Sequence, residues 1–263
     1  MRAFTIARNT WRQAIHLPVL HVILIASVLL LAVVAQLPRF TLVVEDDIKM
    51  LKDLAVATAT LCGVLVAIFA AVNTVTVEIE NWTVVTVLSK PVRRWEFVLG
   101  KFLGLVLMLL TLYVVVTVIY TLIVWWGMWT SATDYAGVQP ELMRDFRRLA
   151  WSTADEMWRG MLLCMLQVVL LTAIAVACCV RAPMIISVLV FFMAFVAGHL
   201  VGGVGWPATW VVPDLEALNF SQEVGVGRVI GLRVLAWALV YTAIYSAVAM
   251  TAGLMLFRRR EVI

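Results

Sequence analysis

Residues 77–101, VEIENWTVVTVLSKPVRRWEFVLGK, gather three glutamates, two lysines and two arginines between two long apolar runs. Phosphate binding is the first chemistry to test. VLGK at 98–101 ends like a phosphate loop, but Trp95 stands where GxxxxGK[ST] needs its first glycine and Phe102 where it needs a hydroxyl. Acid–base chemistry within the runs fares no better, because their central parts contain no aspartate, glutamate, lysine or arginine. Proton relays, ion coupling and intramembrane water activation need such groups. His199 stands alone, and Cys62, Cys164, Cys178 and Cys179 lie inside apolar runs without a CxxC or a nearby histidine. They read as small buried thiols, and no metal site, disulfide or catalytic residue is assigned. Asn73, Gln167 and His199 are the most polar side chains in the runs. Each reads first as an interhelical hydrogen-bonding group and second as a contact along a substrate path.

What remains for the charged segment is docking. Glu78 and Glu80 open it, Trp82 to Leu88 has the length of one or two helical turns, and Ser89-Lys90-Pro91 ends that turn. Trp82, Val84, Val85, Val87 and Leu88 are too apolar for a freely solvated loop. A short apolar-and-charged element joined directly to two helices suits a partner's groove and would carry the partner's movement into them. A plain basic connector would explain Lys90, Arg93 and Arg94, but neither the glutamates nor the apolar run.

The elements that must hold this segment follow from composition. A chain of 263 residues that is 64% hydrophobic and 14% charged, with apolar stretches of twenty residues or more, is an integral membrane protein. Six spans are expected, at about 18–37, 54–77, 98–127, 161–180, 183–204 and 232–257. The runs are continuous rather than alternating, which excludes a transmembrane barrel. The whole chain, 1–263, reads as a single all-α transmembrane domain. The first run is kept as a membrane helix, since Ala35-Gln36-Leu37-Pro38 is a poor cleavage site.

An even number of spans puts both termini on one side. With them go Arg2, Arg8, Arg12, Lys90, Arg93, Arg94, Lys101, Arg181, Arg258, Arg259 and Arg260, while 12 of the 16 acidic residues fall on the other side. The positive-inside rule makes the termini and the charged connector cytoplasmic. The net charge of +4 is thus what topology requires and does not point to nucleic acid.

Residues 1–17 read as an amphipathic interfacial helix, with Phe4, Ala7, Trp11 and Ile15 opposite Arg8, Arg12 and His16, broken at Pro18. From Pro140, the repeat Leu142, Phe146, Leu149 and Met157 predicts an outer-face helix feeding the fourth span. Trp125, Trp126 and Trp129 suit an aromatic belt. The glycines, prolines and tryptophans of 198–220 admit a short re-entrant segment between the fifth and sixth spans. Gly100–Gly104 and Gly198–Gly202 have the GxxxG spacing that permits close approach.

With these residues in view, the chain resembles the ABC-2 type transporter permeases. Glu78-x-Glu80, Thr83 and Thr86 in the turn, and VLSKPVRRWEFVLGKFLG at 87–104 look like that family's connector, and the six-span layout with a basic amphipathic start and a basic end agrees. The resemblance implies a coupling helix at about 80–90 seated on a separate ATP-binding cassette ATPase. Glu78, Glu80, Trp82, Thr83, Thr86, Leu88, Lys90, Arg93 and Arg94 would form the contact. It further implies a second permease, identical or paralogous, and a place in the inner (plasma) membrane, with ATP and magnesium bound by the ATPase and no cofactor bound by this chain. Export is the expected direction. The competing reading is a non-transporting membrane subunit that anchors or regulates a partner complex through the same connector.

Overall fold

The computed structural model describes residues 2–36, 44–80, 94–134, 140–204 and 212–258. These are helical nearly throughout, and no strand occurs among the described residues. In chain order the long elements are α1 (Arg2–Ile15), α2 (Pro18–Val34) and α3 (Val44–Ala71). A π turn (Val72–Thr76) and the short α4 (Val77–Glu80) continue α3. After them come α5 (Arg94–Asp134), α6 (Pro140–Cys179) and α7 (Met184–Val204). A 3-10 turn (Glu216–Leu218), α8 (Ser221–Val226) and α9 (Leu232–Arg258) complete the chain.

Five stretches are long and apolar enough to cross a membrane: Ile48–Thr76, Trp95–Thr130, Leu149–Cys179, Met184–Gly202 and Leu232–Met255. α2 has 17 residues and joins them as a sixth only when taken together with α1, from which it is bent by 56°. Pro18 at the first position of α2 causes the break, since its ring fixes the entry angle while Leu17 before it is extended. The protein is thus an all-α, multi-pass membrane protein.

The helix expected from Pro140 starts there and feeds the fourth span without a break. It fuses with the fourth span into the 40-residue α6, about 60 Å long. No proline or glycine interrupts the helix between Pro140 at its first position and Gly160, so the amphipathic repeat runs straight into the apolar one.

α6 is the central helix. From Gly160 to Cys179 it is packed against α3, α5, α7 and α9 and is almost wholly buried, and over this stretch it is apolar nearly all round because it has no surface to give to surroundings. α3 runs parallel to it: Lys52 meets Glu156 and Thr60 meets Cys164, each pair 104 residues apart. α9 buries one narrow stripe against α6, namely Leu235, Ala238, Thr242, Ser246, Met250 and Gly253. Its small residues let the backbones close, and a Cβ at Gly253 would stand 2.9 Å from the Ala177 Cα. The outward faces of α7 and α9 carry Ile185, Leu189, Met193, Trp237, Ile244 and Val248, an apolar surface suited to hydrocarbon.

α1 docks on the first turns of α5, and α1, the end of α3, the end of α6 and the end of α9 meet at one end of the bundle. This is the proximal end. The distal end holds the start of α3, the end of α5 and the segment 212–231.

Candidate functional site

At the proximal end α3 loses its α register. The sequence VNTVT places three polar side chains directly after the apolar run 61–72, and two of them turn back on the backbone. Asn73 Nδ2 donates to the Phe69 carbonyl (2.8 Å) and Thr74 Oγ1 to the Ala70 carbonyl (2.7 Å). Such back-bonding competes with the helix ladder and bends it. The helix widens here into the π turn, in which the Val77 N–H reaches the Val72 carbonyl five residues earlier.

Below that turn, Glu78 accepts a hydrogen bond from Lys101 Nζ at 2.6 Å. Lys101 lies on the first turns of α5 and is almost fully buried, with the Phe97 ring 5.7 Å from its ammonium. A buried ammonium requires such a partner, because its desolvation is otherwise uncompensated. The pair closes the base of the charged connector, joining the helix that enters it to the helix that leaves it. α1 braces the same place. A Cβ at Gly100 would approach Ile6 to 2.8 Å and one at Gly104 would approach the Ala7 carbonyl to 2.6 Å, so this GxxxG seats the N-terminal helix. α1 presents Ala7, Thr10 and Ala14 to α5, while Phe4, Arg8, Arg12 and His16 face outward.

Of the residues expected to contact a partner, Glu78 is thus held inside the chain by Lys101. Trp82, Thr83, Thr86, Leu88, Lys90 and Arg93 lie outside the described residues, as do the side chains of Glu80 and Arg94.

The three polar residues expected along a substrate path do not come together. Gln167 on α6 and His199 on α7 join through their Nε2 atoms at 3.0 Å. His199 Nδ1 lies 2.9 Å from the Phe195 carbonyl, which assigns the proton to Nδ1 and leaves Nε2 to accept from Gln167. Asn73 belongs to the π turn. The 104-residue offset between α3 and α6 puts it level with residue 177, ten residues or about 15 Å along the axis from Gln167. Gln167 and His199 therefore link two helices, and Asn73 serves its own.

The distal end holds a second ion pair that sequence reading did not single out. Lys52 Nζ donates to Glu156 Oε2 at 2.6 Å, with both side chains about 5% exposed. The segment 212–231 covers it. Leu215 donates its N–H to the Gly198 carbonyl (2.9 Å), which folds the chain back along the last turns of α7. Gly198 is required there, since a Cβ would meet Leu215 at 2.6 Å. Tyr241 Oη accepts from the Asp214 N–H at 2.8 Å, and Arg159 reaches both Asp155 (3.1 Å) and the Ile230 carbonyl (2.5 Å). Val224 of α8 is fully buried, and Gly227, with φ of +78°, ends α8 beside the Glu156 carboxylate.

Midway between the two ends lies a cluster of hydroxyls and thiols. The Tyr113 hydroxyl donates to the Ala59 carbonyl (3.1 Å), the Thr60 hydroxyl lies 3.2 Å from the Cys164 thiol, and the fully buried Tyr120 hydroxyl has no hydrogen-bond partner. All four cysteines are free, and no three His, Cys, Asp or Glu side chains group as metal ligands among the described residues. Lys52 and Glu156 leave a faint mark in the sequence, as opposite charges each placed at the mouth of an apolar run. The tyrosines leave none, since a buried tyrosine and a lipid-facing one read alike.

No protein-family model matches the chain, and no curated protein matches it.

Proposed function

We propose that the chain is the membrane permease subunit of an ATP-binding cassette transporter of the ABC-2 type, working as an exporter. A separate ATPase binds ATP and magnesium and docks on the cytoplasmic connector 78–96. Two permeases pair in the membrane above two ATPases. Force applied to the connector moves α3 and α5, and the cavity between the permeases changes its access.

The observation that carries this reading is the Glu78–Lys101 ion pair at the base of the connector. A loop that merely joined two spans would gain nothing from a buried charge pair at its root. A loop that must deliver a push needs its two stems tied together, so that displacement passes into the bundle instead of splaying them. The resemblance of 78–104 to the permease connector supplies the identity of the pushing subunit.

The test is a mild-detergent pull-down of the tagged chain from native membranes, with mass spectrometry of the retained proteins and a Glu80→Arg variant alongside. The expected result is co-purification of a Walker-motif ATPase with the parent chain and its loss, at equal membrane insertion, from the variant. Recovery of other partners without an ATPase, across detergents and with nucleotide added, would overturn the transporter reading in favour of an anchoring subunit.

A further inference from the structure

The π turn contains an unspent hydrogen bond. Asn73 and Thr74 each satisfy the carbonyl four residues back. The same bond from Thr76 would go to the Val72 carbonyl, which in the π register accepts from the Val77 N–H, and it is not made. The Thr76 hydroxyl is buried and has no partner. It faces the Cys179 thiol of α6, a weak acceptor at best, outside hydrogen-bond geometry. A buried hydroxyl left in this way costs free energy that the fold has not recovered. Thr76 is the last residue of the π turn, where the backbone bonds run one residue longer than in the α-helix on either side.

We propose that Val72–Thr76 is a two-register switch. In the resting register the turn is π and Glu78 faces Lys101. In the second register the helix is α throughout, the Thr76 hydroxyl bonds the Val72 carbonyl as its neighbours bond theirs, and everything below the turn rotates by one residue, about 100°. Glu78 then leaves Lys101. Stranding the buried Lys101 is costly, so the ion pair is the latch that keeps the resting register. Two elements of the chain favour opposite states: the pair favours π, and the unspent hydroxyl favours α. That opposition is what a bistable element requires. The switch goes beyond the permease reading and belongs to the chain itself, so its test needs neither ATPase nor cargo.

The test uses the full chain in lipid nanodiscs with Cys62, Cys164, Cys178 and Cys179 replaced by alanine. Spin labels are placed at Val77→Cys, below the turn, and at Met255→Cys, an exposed position near the proximal end of α9. Pulsed electron–electron resonance reads the distance between them. With side chains reaching about 5–6 Å from the helix axis, a 100° rotation displaces the label by about 8 Å. Glu78→Ala is expected to split or shift the distance distribution by several ångströms. Deleting Asn73 removes the extra residue, makes the helix α while Glu78 keeps its present direction, and is expected to restore the parent distance even with Glu78→Ala. Thr76→Val in the Glu78→Ala background is expected to return population toward the parent, and this variant decides the matter should the deletion fail to fold. An unchanged distance in folded, monodisperse Glu78→Ala would overturn the proposal. So would a shift that persists unaltered in whichever of the two compensating variants folds.

Discussion

Lys52 and Glu156 lie at the mouths of two apolar helices, where a sequence reading assigns charges to solvent. The structure buries both, because α8 and the segment around it fold over the distal end. Such a pair adds little net stability against an apolar pair of the same volume, but removing one member strands the other. Glu156→Gln should therefore lower stability by about 3–5 kcal/mol, whereas Lys52→Met with Glu156→Leu together should restore most of the loss. Thermal unfolding in detergent, comparing the single and double variants, measures this directly. Equal losses in both would mean that the pair is worth more than the desolvation it undergoes. The same scale shows why the mid-bundle cluster was illegible. Gly63 exists to make room for the Tyr113 hydroxyl, with which a Cβ would collide, yet neither residue carries a mark of the other 50 positions away. The absence of charge from the span centres could be read directly, but the hydroxyl and thiol contacts that take its place depend on which faces meet.

Elements were legible wherever periodicity and punctuation agree. Pro18 marks the α1–α2 break, and the apolar runs match α3, α5, α6, α7 and α9 in order. Legibility was weaker where a polar segment adjoins an apolar run, since composition alone does not say whether the helix breaks between them. The charged residues after Pro140 do not end a helix, so the helix expected there and the fourth span are one α6. The N-terminal helix shows a related failure. Of the apolar face expected there, Ala7 is buried and Trp11 and Ile15 are half-buried, but Phe4 turns outward with Arg8 and Arg12, and Thr10 and Ala14, too small to register in an amphipathic pattern, complete the buried stripe with Ala7. They fit because Gly100 and Gly104 open α5 to them. Gly104→Leu should thus release α1 while the rest of the bundle stays assembled. Limited trypsin cleavage at Arg8 and Arg12, both exposed, should become several-fold faster in this variant with an unchanged elution volume. Unaltered cleavage would show that α1 is held by its link to α2 alone.

At the scale of the whole molecule, burial divides the bundle into a centre and a periphery. α3 and α6 are the most enclosed of the membrane-length helices, and they run parallel in one register from the Lys52–Glu156 pair through Thr60–Cys164 to the π turn. α7 and α9 expose most of their surface. Parallel neighbours need a long crossover, here the whole of α5 and what surrounds it, so their pairing could not be read from adjacency in sequence. It follows from the contacts that α3 and α6, tied at several levels, move as one body, and that any change of access occurs around the pair. Thr60→Cys, oxidised against the native Cys164 with the other three cysteines replaced by alanine, should cross-link in high yield, since the two side chains already meet at 3.2 Å. On the permease reading, the cross-linked protein should retain most of its stimulation of the partner ATPase and its movement of cargo. Loss of both on oxidation, with recovery on reduction, would place the working motion between α3 and α6.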